Sequence, residues 1–423
     1  MNPYLVIVIV AVAGTYLLEL MADVLNVRHL STALPAEFAG FYDAGKYATA
    51  QQYLQDNTRF DCVVDTVVTV LTLAFICAGG FNAVDGLVRR AGLGAIATGL
   101  LFAGLLVLLV EVLQIPCAVY RTFVIEARYG FNRTTPRTFV CDLLKGWALG
   151  ALLGGLLLAA VLWLFEAQGR GAWVYAWGVV SVVQVLLLFV GPVLILPLFN
   201  KFVPLAPGAL REAIEGYARS QRFALQGVFT MDGSRRSTKS NAFFTGFGRF
   251  RRIVLFDTLI ARHTVEELVA VLAHEMGHYR RRHVAKLLAL SVVSNGVLLF
   301  VLSRFINHRG LFDAFRMEHL SVYASLVFAG FLYTPLAVVT GMVANALSRR
   351  YEYAADAYVL HTGGRAEAFI AALKKLTADN LGNLTPHPLK VFLGYSHPPI
   401  LERIHAIRRA AEHGARPPET ASR

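Results

Sequence analysis

Long apolar segments alternate with polar stretches along this chain, and each apolar segment is long enough to predict a membrane-spanning helix. A bilayer-crossing helix requires roughly 20 apolar residues, and seven segments supply them. The segments lie near residues 3–21, 63–84, 94–118, 142–165, 173–198, 286–306 and 322–346. The pattern therefore predicts a predominantly α-helical polytopic membrane protein with about seven transmembrane helices.

Residues 199–285 break the membrane pattern, and we interpret them as a compact α/β insert. It contains an amphipathic helix near 207–221 and a small sheet, because three β-prone runs end in turn-forming residues. The runs are 227–231, 241–245 and 253–256. Thr264, followed three residues later by Glu267, forms a capping box that predicts the start of a helix running on toward the sixth span.

These elements divide the chain into four predicted parts. The parts are 1–198 with transmembrane helices 1–5 and cytoplasmic loops, 199–285 as the α/β insert, 286–346 with transmembrane helices 6 and 7, and 347–423 as a polar helical part. The residues from Pro417 onward are predicted to form a disordered tail.

The composition excludes an ordinary soluble protein, since 56% of the residues are hydrophobic, 16% are charged and the mean hydropathy is +0.53. The net charge of +12 does not require a nucleic-acid partner, and we predict none. The arginines are spread over loops that flank membrane helices, where attraction to anionic lipid explains them. The insert and two loops of the first part are rich in Lys and Arg. With seven spans, the positive-inside rule puts the amino terminus outside and the insert in the cytoplasm.

The predicted helix after Thr264 carries the sequence His-Glu-Met-Gly-His at 274–278. Residues four apart lie on one face of a helix, so His274 and His278 can bind one zinc ion through neutral ring nitrogens. Glu275 is placed to act as the general base that takes a proton from a water molecule at the metal. We expect Gly277 to leave room beside the metal.

A third protein ligand is needed, and the segment 348–356 offers two carboxylates four residues apart. We assign Glu352 to the metal and Asp356 to a supporting role, holding a ligating imidazole in its tautomer. The alternative is a solvated helix face on which both carboxylates pair with Arg349 or Arg350.

The chain resembles the type I CAAX prenyl endopeptidase family of multispanning membrane zinc metalloproteases, of the gluzincin type. Six blocks carry the resemblance in the family's order: 129–135, 196–205, 232–246, 274–278, 348–356 and the Ser-His-Pro-Pro run at 396–399. The family commonly has a histidine before the Ser-Asn of the third block, where this chain has Lys239.

The resemblance implies one zinc ion held by His274, His278 and Glu352, with Glu275 as the catalytic base. It also implies that Asn241 and His397 contact the substrate backbone or the developing oxyanion. Alternative explanations are turn chemistry at Asn241 and an ordinary surface position for His397.

The family's fold is a ring of helices that encloses a water-filled chamber. Asp65 and Glu111 lie at predicted membrane depth, where they line such a chamber or pair with a neighbouring helix, and their role stays open.

The predicted function is zinc-dependent hydrolysis of peptide bonds in the membrane, with a polypeptide substrate that resemblance places among prenylated CAAX proteins. A bacterial inner membrane fits the sequence, with the endoplasmic reticulum as the location if the host is eukaryotic. In a bacterium, quality control of membrane proteins without prenyl groups is the alternative duty. Two further alternatives are an intramembrane-cleaving protease and a non-catalytic transporter or channel, while the oligomeric state stays open.

Overall fold

Within residues 2–245 and 252–413, which the computed structural model describes, the chain forms eighteen α-helices and four β-strands. The helices of the first half are α1 Pro3–Arg28, α2 Ala44–Cys77, α3 Gly80–Arg89, α4 Ala95–Tyr120, α5 Glu126–Arg128, α6 Pro136–Leu149, α7 Gly155–Gln168, α8 Trp173–Val190 and α9 Leu196–Phe199. Those of the second half are α10 Ala209–Ser220, α11 Asp257–Ile260, α12 Val265–Arg280, α13 His283–Phe305, α14 Arg309–Ala314, α15 Val322–His361, α16 Ala366–Asp379, α17 Pro388–Gly394 and α18 Ile400–Glu412. The tail predicted to be disordered lies outside the described residues.

Six helical stretches in the described part are long and apolar enough to cross a membrane, and the longest of them accounts for two predicted spans. The stretches are Pro3–Arg28, Ala44–Cys77, Ala95–Arg128, Pro136–Phe199, His283–Phe305 and Val322–His361. At 1.5 Å per residue, the 64 residues of Pro136–Phe199 would span roughly 96 Å, about three times the apolar thickness of a bilayer. A short 3-10 turn at Gly169–Ala172, with Gly169 at φ +57°, divides this stretch into two arms that pack together. Counted as a helical hairpin, it gives the seven spans that the sequence predicts.

The second predicted span differs from the observed helix at both ends. Helix α2 begins at Ala44 rather than near residue 63, because its first half is a helix of mixed polarity that extends beyond the apolar segment. It ends at Cys77, since Gly79 takes a left-handed conformation with φ +76° and separates it from α3. The membrane span is therefore the second half of a longer helix.

Different groups of residues lie at the two ends of the helical bundle. At one end, the Asn2 side chain donates a hydrogen bond to the Gly310 carbonyl, and Tyr4 packs on His308. An aromatic core that includes Phe81, Phe315 and Phe328 lies at this end. Helices α13 and α15 then run the length of the bundle and bring His283 and Glu352 to the other end.

The α/β part contains a four-stranded sheet in the order β1-β2-β4-β3. The strands are β1 Phe202–Pro204, β2 Gly227–Met231, β3 Ala242–Thr245 and β4 Arg252–Phe256. Strands β2 and β4 are parallel, while β1 and β3 pair antiparallel with their neighbours and form the two edges. The prediction of a helical membrane protein with a small α/β part is confirmed, whereas the enclosed chamber stays a prediction.

The two ionisable residues at predicted membrane depth have different surroundings. Glu111 Oε2 accepts a hydrogen bond from the Trp147 indole N–H at 3.1 Å, so it pairs with a neighbouring helix. Asp65 lies exposed on α2.

Candidate metal centre

Helix α12 carries the His-Glu-x-x-His motif, and its sequence explains where it begins and what it packs against. The Thr264 hydroxyl accepts a hydrogen bond from the Glu267 N–H at 3.3 Å, and the Glu267 carboxylate accepts one from the Thr264 N–H at 3.0 Å. This is the predicted capping box. Leu268, Leu272 and Met276 are buried against the sheet, which fixes the rotation of the helix about its axis.

The helix ends directly after the motif and does not run on into the sixth span as the sequence analysis expects. Arg282 adopts a left-handed conformation with φ +55°, and α13 begins at the next residue. This turn brings His283 back against the motif, where its Nδ1 lies 3.0 Å from Nδ1 of His278.

Helices α12 and α15 approach each other most closely at Gly277. A Cβ atom at this position would lie 3.0 Å from the Cα of Ala355 and 3.0 Å from the Cβ of Tyr358. The space that we expected Gly277 to leave beside the metal is therefore filled by the backbone of α15. This close approach brings Glu352, one turn earlier on α15, within reach of both motif histidines.

Three side chains converge in a geometry that suits one metal ion. The Nε2 atoms of His274 and His278 lie 3.1 Å apart, and the Glu352 carboxylate oxygens lie 3.5 Å from the first and 3.2 Å from the second. Donor atoms bound to zinc at 2.0–2.1 Å in a tetrahedron are separated by about 3.3 Å. Two imidazole nitrogens and a carboxylate are also the donor set of many catalytic zinc sites, so the residues present fit this metal.

The outer nitrogens of both candidate ligands are also in contact. Asp356 Oδ1 lies 2.9 Å from His274 Nδ1, as the sequence analysis requires of a carboxylate that fixes the tautomer. His283 occupies the corresponding place at His278 and stacks on the Tyr351 ring at 4.3 Å between ring centres. The sequence pattern indicates no role for His283, because the turn that brings it back against the motif is not visible there.

A buried arginine pairs with both carboxylates of α15. Arg403, on α18, donates to Asp356 through Nε at 2.9 Å and through Nη2 at 2.6 Å, and its Nη1 lies 3.2 Å from Glu352. Burial disfavours the charged guanidinium, but the two carboxylates outweigh this and raise its pKa above the usual value. The alternative pairing of Glu352 and Asp356 with Arg349 or Arg350 is not what the structure shows, since Arg349 donates to backbone carbonyls instead.

The electrostatics of α12 follow from burial and these neighbours. Burial disfavours the protonated ring of His274, yet hydrogen bonds with Asp356 and Glu352 prevail and raise its pKa to about 9. Burial raises the pKa of Glu275 above that of an exposed glutamate. A carboxylate with a raised pKa is a stronger base, which suits proton transfer.

His397 lies at the rim of the site. Its Nδ1 is 3.0 Å from Glu352 Oε2, while its side chain is 66% exposed. The Ser-His-Pro-Pro run immediately before α18 therefore contacts the same carboxylate as the motif histidines.

Asn241 immediately precedes β3, the edge strand, and its side chain is exposed. Its Oδ1 accepts a hydrogen bond from the Ala242 N–H at 2.8 Å, which is the turn chemistry that the sequence analysis held as the alternative. The residue before it is fixed by Asn380, whose amide accepts from the Ser240 N–H at 3.1 Å and donates to the Ser240 carbonyl at 3.2 Å. The predicted roles of Asn241 and His397 in substrate contact stay predictions.

Two family profiles match nearly the whole chain. Residues 23–201 match the CAAX prenyl protease N-terminal domain, which has five membrane helices, and residues 204–411 match peptidase family M48. A CAAX prenyl protease 1 homolog from Oryza sativa subsp. japonica is 33% identical over 423 aligned residues, covering 96% of this chain and 98% of the relative. The chain belongs to peptidase family M48.

A second relative and a solved structure agree with this assignment. A probable CAAX prenyl protease 1 from Schizosaccharomyces pombe is 36% identical over 391 residues, covering 88% of this chain and 81% of the relative. The crystal structure of S. mikatae Ste24p superimposes with a TM-score of 0.91 at 27% identity, covering 96% of this chain and 99% of that chain. This M48 member is therefore an integral membrane metalloendopeptidase with a metal cofactor, and the resemblance stated from the sequence is confirmed.

The two M48-family profiles meet between residues 201 and 204, close to the predicted division after residue 198. The fourfold division itself stays a prediction.

Three polar residues around the site were not predicted from the sequence, namely His283, Asn380 and Arg403. Only Arg403 leaves a sequence signal, since it follows the Ser-His-Pro-Pro block within one amphipathic helix.

Proposed function

We propose that this M48 peptidase uses one zinc ion held by His274, His278 and Glu352 to hydrolyse peptide bonds. When bound there, zinc polarises the scissile carbonyl and makes a water molecule more acidic. The observation that supports the proposal most strongly is the set of three donor-atom separations, 3.1, 3.2 and 3.5 Å, which resemble the edges of a zinc tetrahedron.

Glu275 has the position and the basicity of the general base. It takes a proton from the attacking water as the water oxygen bonds to the carbonyl carbon, and it delivers that proton to the amide nitrogen as the C–N bond breaks. Burial raises the pKa of Glu275, which favours accepting the proton. His397 is exposed at the rim and donates to the oxyanion that develops on the carbonyl oxygen.

The substrate peptide binds as an added strand on the free edge of β3. One edge of β3 pairs with β4, and the order of the sheet leaves the other edge free among the described strands. Main-chain hydrogen bonds along such an edge hold an extended peptide without requiring a particular sequence. Asn241, at the start of this strand, adds a side-chain hydrogen bond to the substrate backbone.

We infer that the substrates are prenylated proteins cleaved near a carboxyl-terminal Cys-a-a-X sequence. This substrate class is supported by the relatives from Oryza sativa and Schizosaccharomyces pombe, which are named as CAAX prenyl protease 1 proteins and share most of their length with this chain. Quality control of membrane proteins is the alternative if the host is a bacterium without prenylated proteins.

We also propose that the metal centre faces the cytoplasm. The loop 129–135 packs beside the α/β part, where the Arg133 N–H donates to the Arg236 carbonyl, and Arg121, Arg128 and Arg137 flank it. Arginine-rich loops stay on the cytoplasmic side of a membrane. The inner membrane of a bacterium is the location that the sequence favours, or the endoplasmic reticulum of a eukaryote.

The test of the enzymatic proposal compares the wild type with Glu275→Gln on a panel of peptides, together with zinc analysis of both proteins. We expect Glu275→Gln to retain one zinc ion and to lose about 10²–10⁴-fold in kcat, because only the proton transfer is removed. Glu266→Gln, an exposed position on the same helix, is the matched control and should cleave normally. Equal cleavage by wild type and Glu275→Gln would refute the proposal.

The substrate class is tested separately with one peptide in farnesylated and unmodified forms. Preferential cleavage of the farnesylated form near its carboxyl terminus supports the CAAX assignment. Equal cleavage of both forms would refute it and favour the quality-control duty, without affecting the proposed zinc chemistry.

A further inference from the structure

A cavity of about 400 Å³ lies at the end of the bundle opposite the metal centre. It is bounded by the end of α3, the starts of α4 and α15 and the end of α7. Thirty residues of α15 separate Val322, which lines the cavity, from Glu352, so the two sites are roughly 45 Å apart along the helix. The cavity is therefore distinct from the proteolytic site.

Two long helices begin at this cavity without a side-chain cap. Ala95 and Val322, the first residues of α4 and α15, both line it, and neither Gly94 nor Ser321 makes a capping bond at the preceding position. The first N–H groups of a helix have no partner within the helix, and the helix dipole makes this end positive. Two such ends at one cavity form a setting for an anionic group.

The Ser321 hydroxyl is a second, independent sign of a ligand. Ser321 is 91% buried and lines the cavity, yet its Oγ forms no hydrogen bond of normal geometry with any described residue. The nearby Tyr323 hydroxyl donates to Asp85 at 2.5 Å, and no hydrogen bond of normal geometry joins it to Ser321. A buried hydroxyl without a partner is costly, so a ligand oxygen that accepts from it would be stabilising.

Arg89 supplies a fixed positive group at the same cavity. Its Nε donates to the fully buried Asp85 at 2.7 Å, which holds the guanidinium in place. Among the described residues, the other nitrogens of this guanidinium form no hydrogen bond and remain for a ligand. Arginine binds phosphate oxygens particularly well.

Two further features of the cavity lining indicate that the ligand carries more than an anionic group. Glu166 is exposed and has no ion-pair partner in the described part of the chain, so it would repel a purely anionic ligand but attract an ammonium group. Leu93 and Leu320 also line the cavity and expose 49% and 42% of their surface. A phosphate, an amine and an apolar chain occur together in an aminophospholipid.

We propose that this cavity binds the phosphoethanolamine head group of a membrane lipid. The phosphate meets the Ser321 hydroxyl, the Arg89 guanidinium and the two helix starts. The ammonium group pairs with Glu166, and the acyl chains leave across the exposed leucines. This position, at the ends of transmembrane helices, is the depth of lipid head groups in a bilayer.

The test titrates the purified full-length protein in detergent and counts bound lipid by native mass spectrometry. The probes are phosphatidylethanolamine, phosphatidylglycerol with the same acyl chains, and inorganic phosphate. We expect the wild type to bind phosphatidylethanolamine at least about tenfold more tightly than phosphatidylglycerol, and Ser321→Asp to weaken that binding about tenfold or more by charge repulsion. Glu166→Gln should reduce the preference between the two lipids to about twofold or less, because the ammonium loses its partner.

Arg90→Gln is the matched control, since it removes a neighbouring exposed charge that does not line the cavity. It should bind both lipids as the wild type does. If Ser321→Asp fails to fold, the exposed Glu166→Gln still tests the proposal through the lost preference. Equal binding of both lipids by the wild type, or unchanged binding by Ser321→Asp, would overturn the proposal. Displacement of the bound lipid by inorganic phosphate would show that the ligand is free phosphate and not a lipid head group.

Discussion

The metal centre depends on residues that bind no metal themselves. Asp356 and His283 each contact the outer nitrogen of a candidate ligand, at 2.9 and 3.0 Å. Such contacts fix the tautomer and orientation of an imidazole before the metal arrives. Arg403 balances the negative charge that would otherwise be buried on α15.

His283→Ala should lower zinc affinity about 10–100-fold, because His278 loses the partner that orients its ring. The measurement is zinc competition with a chromophoric chelator. His361→Ala, an exposed position at the end of α15, should leave the affinity unchanged. Unchanged affinity in His283→Ala would show that this contact does not support the site.

Arg403→Ala should destabilise the protein by about 3–5 kcal/mol, since it leaves the buried Asp356 carboxylate without its charge partner. Thermal unfolding in detergent measures this, with Arg409→Ala on the exposed side of α18 as the control. Arg403→Lys should recover only part of the loss, because an ammonium group cannot make the two-nitrogen contact. Equal melting temperatures for Arg403→Ala and Arg409→Ala would contradict this account.

The spacing of residues within one helix made much of the site predictable. His274 and His278, or Glu352 and Asp356, lie four apart in sequence, and a helix necessarily places such pairs on one face. Contacts between distant elements leave no such periodic signal. Arg403 meets Asp356 from another helix, and His283 depends on the left-handed turn at Arg282.

At the level of helices, the close contact between α12 and α15 determines whether Glu352 reaches the histidines. Gly277→Ala would place a methyl group 3.0 Å from the Ala355 Cα, and we expect it to separate the helices and weaken zinc binding. Gly216→Ala is the matched control, because its methyl group would approach nothing closer than the flexible end of Arg219 at 3.9 Å. In that open helical position alanine should be neutral or stabilising by about 0.5–1 kcal/mol. The measurement is zinc content and melting temperature, and equal values for the two variants would contradict the proposed contact.

The edge strand is anchored to the membrane helices by Lys239. Its ammonium lies 2.9 Å from the Glu126 carboxylate and 2.8 Å from the Tyr53 hydroxyl, two residues before Asn241. Lys239→Met should therefore loosen the start of β3 and raise KM about fivefold with little change in kcat.

The control for this prediction is Lys201→Met, whose side chain is exposed and forms no ion pair with described residues. Lys239→Arg should behave almost as the wild type. A fall in kcat at unchanged KM would show that Lys239 does not act through substrate binding.

Across the whole molecule, the lengths of the apolar segments predicted the membrane spans more reliably than they predicted where each helix begins and ends. The apolar runs end where the bilayer would end, but α2 and α15 continue beyond it as helices of mixed polarity. Those extensions carry residues of the site and its surroundings, since Tyr53, which contacts Lys239, lies on α2 and Glu352 lies on α15. The first and last residues of these helices could not be predicted, because hydropathy identifies only the part of a helix that lies in the bilayer.

An odd number of spans places the start of α1 and the end of α18 on opposite sides of the membrane. The structure agrees, since Asn2 packs at Gly310 while α18 packs at the metal centre. The aminophospholipid cavity and the proteolytic site therefore belong to opposite leaflets. One enzyme would contact lipid head groups on one side and substrate on the other.

The most direct test of the central claim is an anomalous difference map of the crystallised protein, measured at the zinc absorption edge. We predict one peak within about 2.0–2.2 Å of His274 Nε2, His278 Nε2 and a Glu352 oxygen. A peak elsewhere, or an active preparation without zinc at these residues, would contradict the account.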